Sequence, residues 1–207
     1  MFSTAPSLAP TQKFMSFWRS PKPVIAQLHG WCVGGGSDYA LCADLVIASG
    51  DLTHRGLRSQ HEQASSFLRS LELPLLAIPG NHDIPYTFPR RFTRPWQEFE
   101  RLWETTEPVY RSDTLVVAGL NSVRPWRHQS GRLRDEQVRR ASEVFREVPA
   151  GAYRIVTLHH HLLGAPWRSR KKPVAKRNRV LTGLVEAGAD LVLAGHIHQS
   201  TVAERRE

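Results

Sequence analysis

Cysteine is scarce in this chain, with only Cys32 and Cys42 among 207 residues. Two thiols so close in sequence cannot make a disulfide framework or a cysteine-type zinc site. Long hydrophobic runs are missing as well. No stretch of about 18 uncharged apolar residues occurs, so no segment has the length and composition of a membrane-spanning helix. The first 30 residues hold no apolar stretch followed by a small-residue cleavage site. The expectation is a soluble, cytoplasmic protein with no membrane partner. Internal repeats and low-complexity tracts are also absent. What is present is 41% apolar and 23% charged content, enough for one domain of ordinary size or two small ones. Ten histidines are the suggestive count.

The net charge of +9 is local rather than general. Residues 168–179 carry Arg168, Arg170, Lys171, Lys172, Lys176, Arg177 and Arg179 with no acid among them, seven of the nine charges. Elsewhere the signs are interspersed, as on an ordinary solvated surface. Such a run fits a solvated loop, a patch facing an anionic substrate, or a nucleic-acid contact, the last of these not favoured.

The apolar pattern divides the chain into short elements. Residues 11–19 read as a helix closed by Pro21 and Pro23, residues 24–28 as a strand, and Gly34-Gly35-Gly36 as a turn before a helix capped by Ser37. Residues 44–49, DLVIAS, are a second buried strand. Beyond them, strands at 75–78, 114–119, 154–158 and 190–194 alternate with helices at 59–71, 95–103, 134–147 and 180–187. Alternation of this kind predicts an α/β fold with a partly parallel sheet.

Polar clusters follow the strand ends: Gly50-Asp51, Gly80-Asn81-His82-Asp83, His159-His160-His161 and Gly195-His196-Ile197-His198. Open α/β sheets place ligands at the carboxyl ends of their strands. Any one of these clusters alone fits a turn or a packed polar residue. Four in one order, each behind an apolar strand, describe a site where carboxylate, amide and imidazole groups converge. That mixed oxygen and nitrogen set suits manganese, iron or zinc, and two such ions clamp a phosphoryl oxygen and activate water.

With GDLTHRG, IPGNHD, LHHHLLG and AGHIHQS in order, residues 44–200 resemble the calcineurin-like metallophosphoesterases. The resemblance implies a four-layer α/β/β/α sandwich and a dinuclear centre of divalent metals. By it, Asp51 is the bridging carboxylate, and Asn81, His159 and His196 complete one metal site, with His160 the close alternative to His159. His198 serves the other metal. His82 stabilises the transition state or protonates the leaving oxygen, and Asp83 orients it. A phosphate ester is the implied substrate, with nucleotides among the candidates. Residues 86–103 and 121–127 supply aromatic and arginine side chains as substrate walls.

The family's opening D-x-H motif has no counterpart before Asp51. In its place KPVIAQLHGWCVGGGSDYALCADLVIAS resembles part of the enoyl-CoA hydratase and isomerase (crotonase) superfamily, with Gly35 and Gly36 as the oxyanion turn and Asp38 where some members carry a catalytic glutamate. That family's fold needs several times this length, so residues 1–48 read as a crotonase-like fragment joined near residues 43–51 to a phosphoesterase domain at 49–207. If the imported strand docks where the first strand lay, Gln27 and His29 fall at the positions of the missing Asp and His, on one strand face. One metal site is then complete and the other depleted. The chain stops soon after AGHIHQS, so the sandwich is expected to be incomplete at both ends, with an open sheet edge inviting self-association. Two competing readings follow: a crotonase-type enzyme, and an inactive fusion that only binds metal or anions.

Overall fold

A computed structural model describes residues 15–28, 40–163, 171–197 and 202–204. His29, Gly34 to Gly36, Ser37, Asp38 and His198 lie outside the described residues, as do residues 11–14 and Arg168 and Arg170. Residues 15–18 form a short, exposed helical segment. Two strands follow, β1 (Ile25–Leu28) and β2 (Leu45–Ala48), then helix α1 (Arg58–Arg69) and β3 (Leu75–Ala77). Two short helices, α2 (Arg90–Thr93) and α3 (Gln97–Trp103), lead to β4 (Val109–Arg111) and β5 (Leu115–Leu120). The remainder is α4 (Asp135–Arg146), β6 (Tyr153–Leu158), α5 (Arg177–Glu186) and β7 (Leu191–Ala194).

These strands make two sheets. One is fully parallel in the order β1-β2-β3, the other runs β4-β5-β6-β7 with only the β4–β5 pair antiparallel. Side chains alternate across each strand, and that alternation sorts the core into three slabs. Leu45, Ile47, Leu76 and Ile78 of the first sheet meet Leu115, Val117 and Ile155 of the second, filling the space between the sheets. On the outer face of the first sheet, Val46, Ala48 and Ala77 pack on Leu68, Leu71 and Phe99 from around α1 and α3. Across the molecule, Val116, Ala118, Val156 and Leu158 pack on Ala141, Phe145, Val180 and Leu184 of α4 and α5. Helices, sheet, sheet and helices form the four layers that the family resemblance implies.

Two elements depart from the sequence expectation. Strand β4 and helix α2, three and four residues long, fall within stretches without a periodic apolar pattern. The expected boundary at residues 48 and 49 falls at the end of β2, the central strand of the first sheet, and β1 pairs with it along its whole length from Ile25↔Leu45 to Leu28↔Ala48. Gln27 therefore lies on the same strand face as Ile25, which packs against the slab between the sheets.

Strand order also decides where the polar loops meet. Strands β2, β3, β6 and β7 are parallel to their neighbours within each sheet, so each sheet delivers its two polar loops at one end. The Gly195 N–H donates to the His159 carbonyl oxygen at 2.9 Å within the second sheet, and the His159 ring, 2.8 Å from the Ser49 carbonyl oxygen, joins the two sets. Among the described residues no helix is long and apolar enough to cross a membrane.

Candidate metal centre

The loop after β2 turns through Gly50 at φ +90° and Asp51 at φ 57°. The left-handed region is easy for glycine and tolerable for aspartate, and it aims the Asp51 carboxylate back across the sheet end. His196 adopts the same region at φ 71° after β7. Non-glycine residues held this way are strained, and such strain gathers at functional sites. A side chain on Gly80 would collide with the Asp51 backbone N–H and carboxylate, and one on Gly50 would come within 2.6 Å of Gly80 N and His159 Nδ1. Both glycines are needed for the close approach of the two loops.

Four ligand atoms converge at this point. His159 Nε2 lies 3.3 Å from Asp51 Oδ2, 3.2 Å from Asn81 Oδ1 and 3.1 Å from His196 Nδ1. The other nitrogen, His159 Nδ1, sits 2.8 Å from the Ser49 carbonyl oxygen. A carbonyl only accepts, so Nδ1 carries the proton and the neutral ring presents a lone pair at Nε2. A lone pair, a carboxylate oxygen and an amide oxygen then face one another in a buried space, an arrangement that a proton on Nε2 or a metal ion between the donors stabilises. Ligand bonds of about 2.1 Å to one ion place neighbouring donor atoms about 3.0–3.4 Å apart, which these separations match. Asp51, His159 and His196 fit one divalent cation, with Asn81 as the fourth donor.

Asp51 and His196 are held in the forms that bind a metal, whereas without an ion Asp51 draws His159 towards its protonated form. Burial opposes the Asp51 charge, but His159 and the His82 N–H outweigh it and hold the carboxyl well below the usual carboxylate range. Burial likewise disfavours a charged His159, whereas Asp51 and the Ser49 carbonyl raise it above the ordinary imidazole value. Burial, with His159 and Lys171 nearby, pushes His196 down to about 3. Burial lowers His160 as well. Neutral imidazole is the metal-ligating form.

His160 and His161 occupy different surroundings from His159. The His160 backbone N–H donates to Ser122 Oγ at 3.1 Å, and the ring Nδ1 lies 2.9 Å from the same oxygen. Its Nε2 and both ring nitrogens of His161 are buried with no hydrogen-bond partner among the described residues. The His160 ring centre is 4.6 Å from that of His196, so His160 borders the cluster from the side of β5.

His82 is half-buried and sits over Asp51. Its backbone N–H donates to Asp51 Oδ1 at 3.0 Å. Its ring Nδ1 lies 2.9 Å from the His54 carbonyl oxygen, which makes Nδ1 the protonated nitrogen and leaves Nε2 to give or take a proton. The expected orienting role of Asp83 is corrected here. Its two carboxylate oxygens accept from Gly80 N and Thr53 N, each at 2.8 Å, so Asp83 ties the two metal-bearing loops together while the His54 carbonyl holds His82. Sequence reasoning missed the carbonyls of Ser49 and His54, because a main-chain acceptor leaves no residue-type signature. Ser122 was also missed, since it reaches His160 from another strand.

The basic run is partly engaged with this end of the molecule. Lys171 Nζ donates to the His196 carbonyl oxygen at 2.5 Å, and Arg179 pairs with Asp135 on the exposed surface at 2.7 Å. Gln27 of β1 has its side-chain Nε2 buried without a partner among the described residues.

Known relatives follow the same lines. A probable cyclic nucleotide phosphodiesterase of Vesicomyosocius okutanii subsp. Calyptogena okutanii is 26% identical over 169 residues, covering 78% of this chain and 65% of its own length. One from Ruthia magnifica subsp. Calyptogena magnifica is 28% identical with the same coverage. A probable cyclic nucleotide phosphodiesterase of Synechococcus is 33% identical over 102 residues, 46% of this chain and 34% of its own length. The chain thus spans 65% or less of the length of these relatives. The Calcineurin-like phosphoesterase family matches residues 24–200, a span that runs through β1 and β2 as well as all four polar loops. The chain belongs to the calcineurin-like phosphoesterase family.

Proposed function

We propose that this chain is a metal-dependent hydrolase of phosphate esters that acts on phosphodiesters of nucleotides. The observation that carries the reading is the convergence of Asp51 Oδ2, Asn81 Oδ1 and His196 Nδ1 on His159 Nε2, each within 3.3 Å of it. Asp51, Asn81, His159 and His196 hold the metal, with His198 extending the site. Manganese, iron or zinc bound there supplies Lewis-acid polarisation of the phosphoryl oxygen and activates water. The chain's own contribution is to fix the donors. Ser49 and the loop glycines set the direction of His159 and Asp51, and Asp83 locks the loops that carry them. His82 stands beside Asp51 with Nε2 available, the atom that passes a proton to the departing oxygen.

The diester preference draws on the names of the relatives, which are probable cyclic nucleotide phosphodiesterases. We further propose that residues 24–48 serve as the first two strands of the phosphoesterase sheet, with Gln27 where a first-motif carboxylate would stand. That arrangement leaves one metal site complete and the other weak.

The test is hydrolysis of bis-p-nitrophenyl phosphate and of a cyclic nucleotide by protein stripped with chelator and reloaded with manganese, iron or zinc. Activity should return with the metal and fall in Asp51→Asn by more than about 100-fold, since outer partners alone account for about 10–100-fold. Hydrolysis that persists in Asp51→Asn, or that never appears with any of the three metals, overturns the reading.

A further inference from the structure

Two segments that leave the metal centre build an exposed aromatic surface. The first runs on from Asp83 through α2; the second runs on from Ser122, the partner of His160. A buried arginine holds them together: Arg91 Nε donates to the Pro125 carbonyl oxygen at 2.8 Å and its Nη1 to the Pro85 carbonyl oxygen at 3.1 Å. The second segment also packs on the metal side, because a side chain on Gly131 would come within 2.6 Å of His160 Cβ.

The aromatic rings of these segments are placed in the costly position. Phe88 is 81% exposed and Trp126 is 79% exposed. Phe92 stacks on Trp126 with ring centres 4.1 Å apart and planes 22° from parallel, and Phe88 lies 6.4 Å beyond Phe92. Burial would remove such rings from water at about 25 cal/mol per Å², yet here Phe88, tilted 46° to Phe92, and the outer side of Trp126 stay open to solvent. Trp126 also walls a cleft shared with Trp96, Arg124, Arg134 and Arg140 together with Glu107 and Glu136.

Charge selects the occupant. Residues 84–97 and 114–134 contain seven arginines and no acid. Arg90, Arg94 and Arg127 of these are exposed. Flat aromatic faces interleaved with arginines match a strand of stacked bases with its phosphates alongside. A single small ester needs one ring at most, whereas three neighbouring rings stand here, with centres 6.4 and 4.1 Å apart.

We propose that Phe88, Phe92 and Trp126, with Arg90, Arg94 and Arg127, form a binding platform for single-stranded nucleic acid beside the metal centre. The platform gives the phosphoester reading a substrate class, namely a nucleic-acid strand, but binding to it does not depend on that reading.

The experiment measures fluorescence anisotropy of a fluorescein-labelled oligothymidylate of about 16 bases, titrated with the full chain in the presence of chelator. The expected result is binding that weakens steeply with salt, that exceeds binding to a duplex of the same length, and that Trp126→Ala weakens by about tenfold or more. A triple variant, Arg90→Gln with Arg94→Gln and Arg127→Gln, should reduce the salt slope by about 2. Absence of binding, equal binding to duplex, or a Trp126→Ala variant that binds like the parent overturns the proposal, and so does capture by anionic phospholipid vesicles in place of the oligonucleotide. Asp51→Asn should bind the oligonucleotide as the parent does. If binding holds while no metal restores hydrolysis of bis-p-nitrophenyl phosphate, the platform stands and the hydrolase reading falls; the converse result removes the platform alone.

Discussion

His159 Nδ1 donates to the Ser49 carbonyl oxygen at 2.8 Å, so the end of β6 in one sheet is held by the end of β2 in the other. The bond does two things. It closes the sandwich at the carboxyl edge, and it fixes the tautomer that turns the lone pair of Nε2 toward Asp51, Asn81 and His196.

Metal loading should therefore stabilise the fold. A ligand present at about 100 times its dissociation constant contributes about 2.7 kcal/mol, or about 5–10 °C in Tm for a domain of this size. We expect manganese or zinc to raise the Tm of chelator-stripped protein by that amount, read by calorimetry. Asp51→Ala should lose the response, and an unchanged metal-induced shift in Asp51→Ala would rule out this cluster as the binding place.

The choice between neighbouring histidines is testable in the same way. His159 contributes the nitrogen at the centre of the cluster, whereas His160 is held by Ser122 on the side of β5. His159→Ala should abolish metal retention through gel filtration, measured by elemental analysis. His160→Ala should keep it, with affinity lowered by about 10-fold as for loss of an outer partner. Retention by His159→Ala with loss in His160→Ala would reverse the assignment.

Much of this arrangement was legible in the sequence, and the reason is physical. Strands β2 and β5 are buried on both faces, so they read as the continuous apolar runs LVIA and LVVAGL. The candidate ligand side chains Asp51, Asn81, His159 and His196 follow such runs because the strand ends in a loop at the sheet edge. What could not be read was the three-dimensional supply of partners. Asp83 looks like a companion to its neighbour His82, yet its carboxylate closes on backbone N–H groups of Gly80 and Thr53. Strand β4 (Val109–Arg111) has only three residues, with two of them exposed, too short for any periodicity to register. Likewise, nothing in the text of Gly80 shows that Asp51 passes directly over it.

Gly80→Ala should for that reason be among the most damaging small substitutions. Its new methyl group would occupy the space of the Asp51 backbone N–H and carboxylate, and the neighbouring backbone has no freedom to yield because the Gly80 N–H is held by Asp83. The expected outcome is loss of metal retention together with destabilisation of about 2–4 kcal/mol. Urea unfolding and elemental analysis check the two halves separately. A variant that unfolds at the parent's midpoint and keeps its metal would show that the loops are not packed this closely.

Asp83→Asn separates loop locking from metal binding. The amide keeps one acceptor oxygen, but its NH2 group meets a backbone N–H at the other position, leaving a buried donor unsatisfied at a cost of about 1–3 kcal/mol. Stability should fall by that amount in urea unfolding, while metal stoichiometry stays at the parent's value at saturating metal. Loss of stoichiometry under those conditions would show that Asp83 is itself a ligand.

Glu107 anchors the far wall of the same centre. One of its oxygens accepts from the Asn121 N–H at 3.0 Å and also takes a short bond from Gln137 Nε2, while the other accepts from Arg140 Nη1 at 2.9 Å. These bonds pin the end of β5 to α4, and Ser122, the next residue after Asn121, holds His160. Removing the carboxylate strands a backbone N–H and leaves Arg140 only the Glu107 carbonyl oxygen, so Glu107→Ala should cost about 2–4 kcal/mol. Glu107→Gln retains one acceptor and should cost less. The consequence reaches the site through Ser122: hydrogen exchange at the amides of residues 121–123 and 160 should quicken in Glu107→Ala, more than at α1 on the opposite face. Uniform acceleration across both faces would mean that Glu107 supports the fold generally and has no particular hold on the wall beside His160.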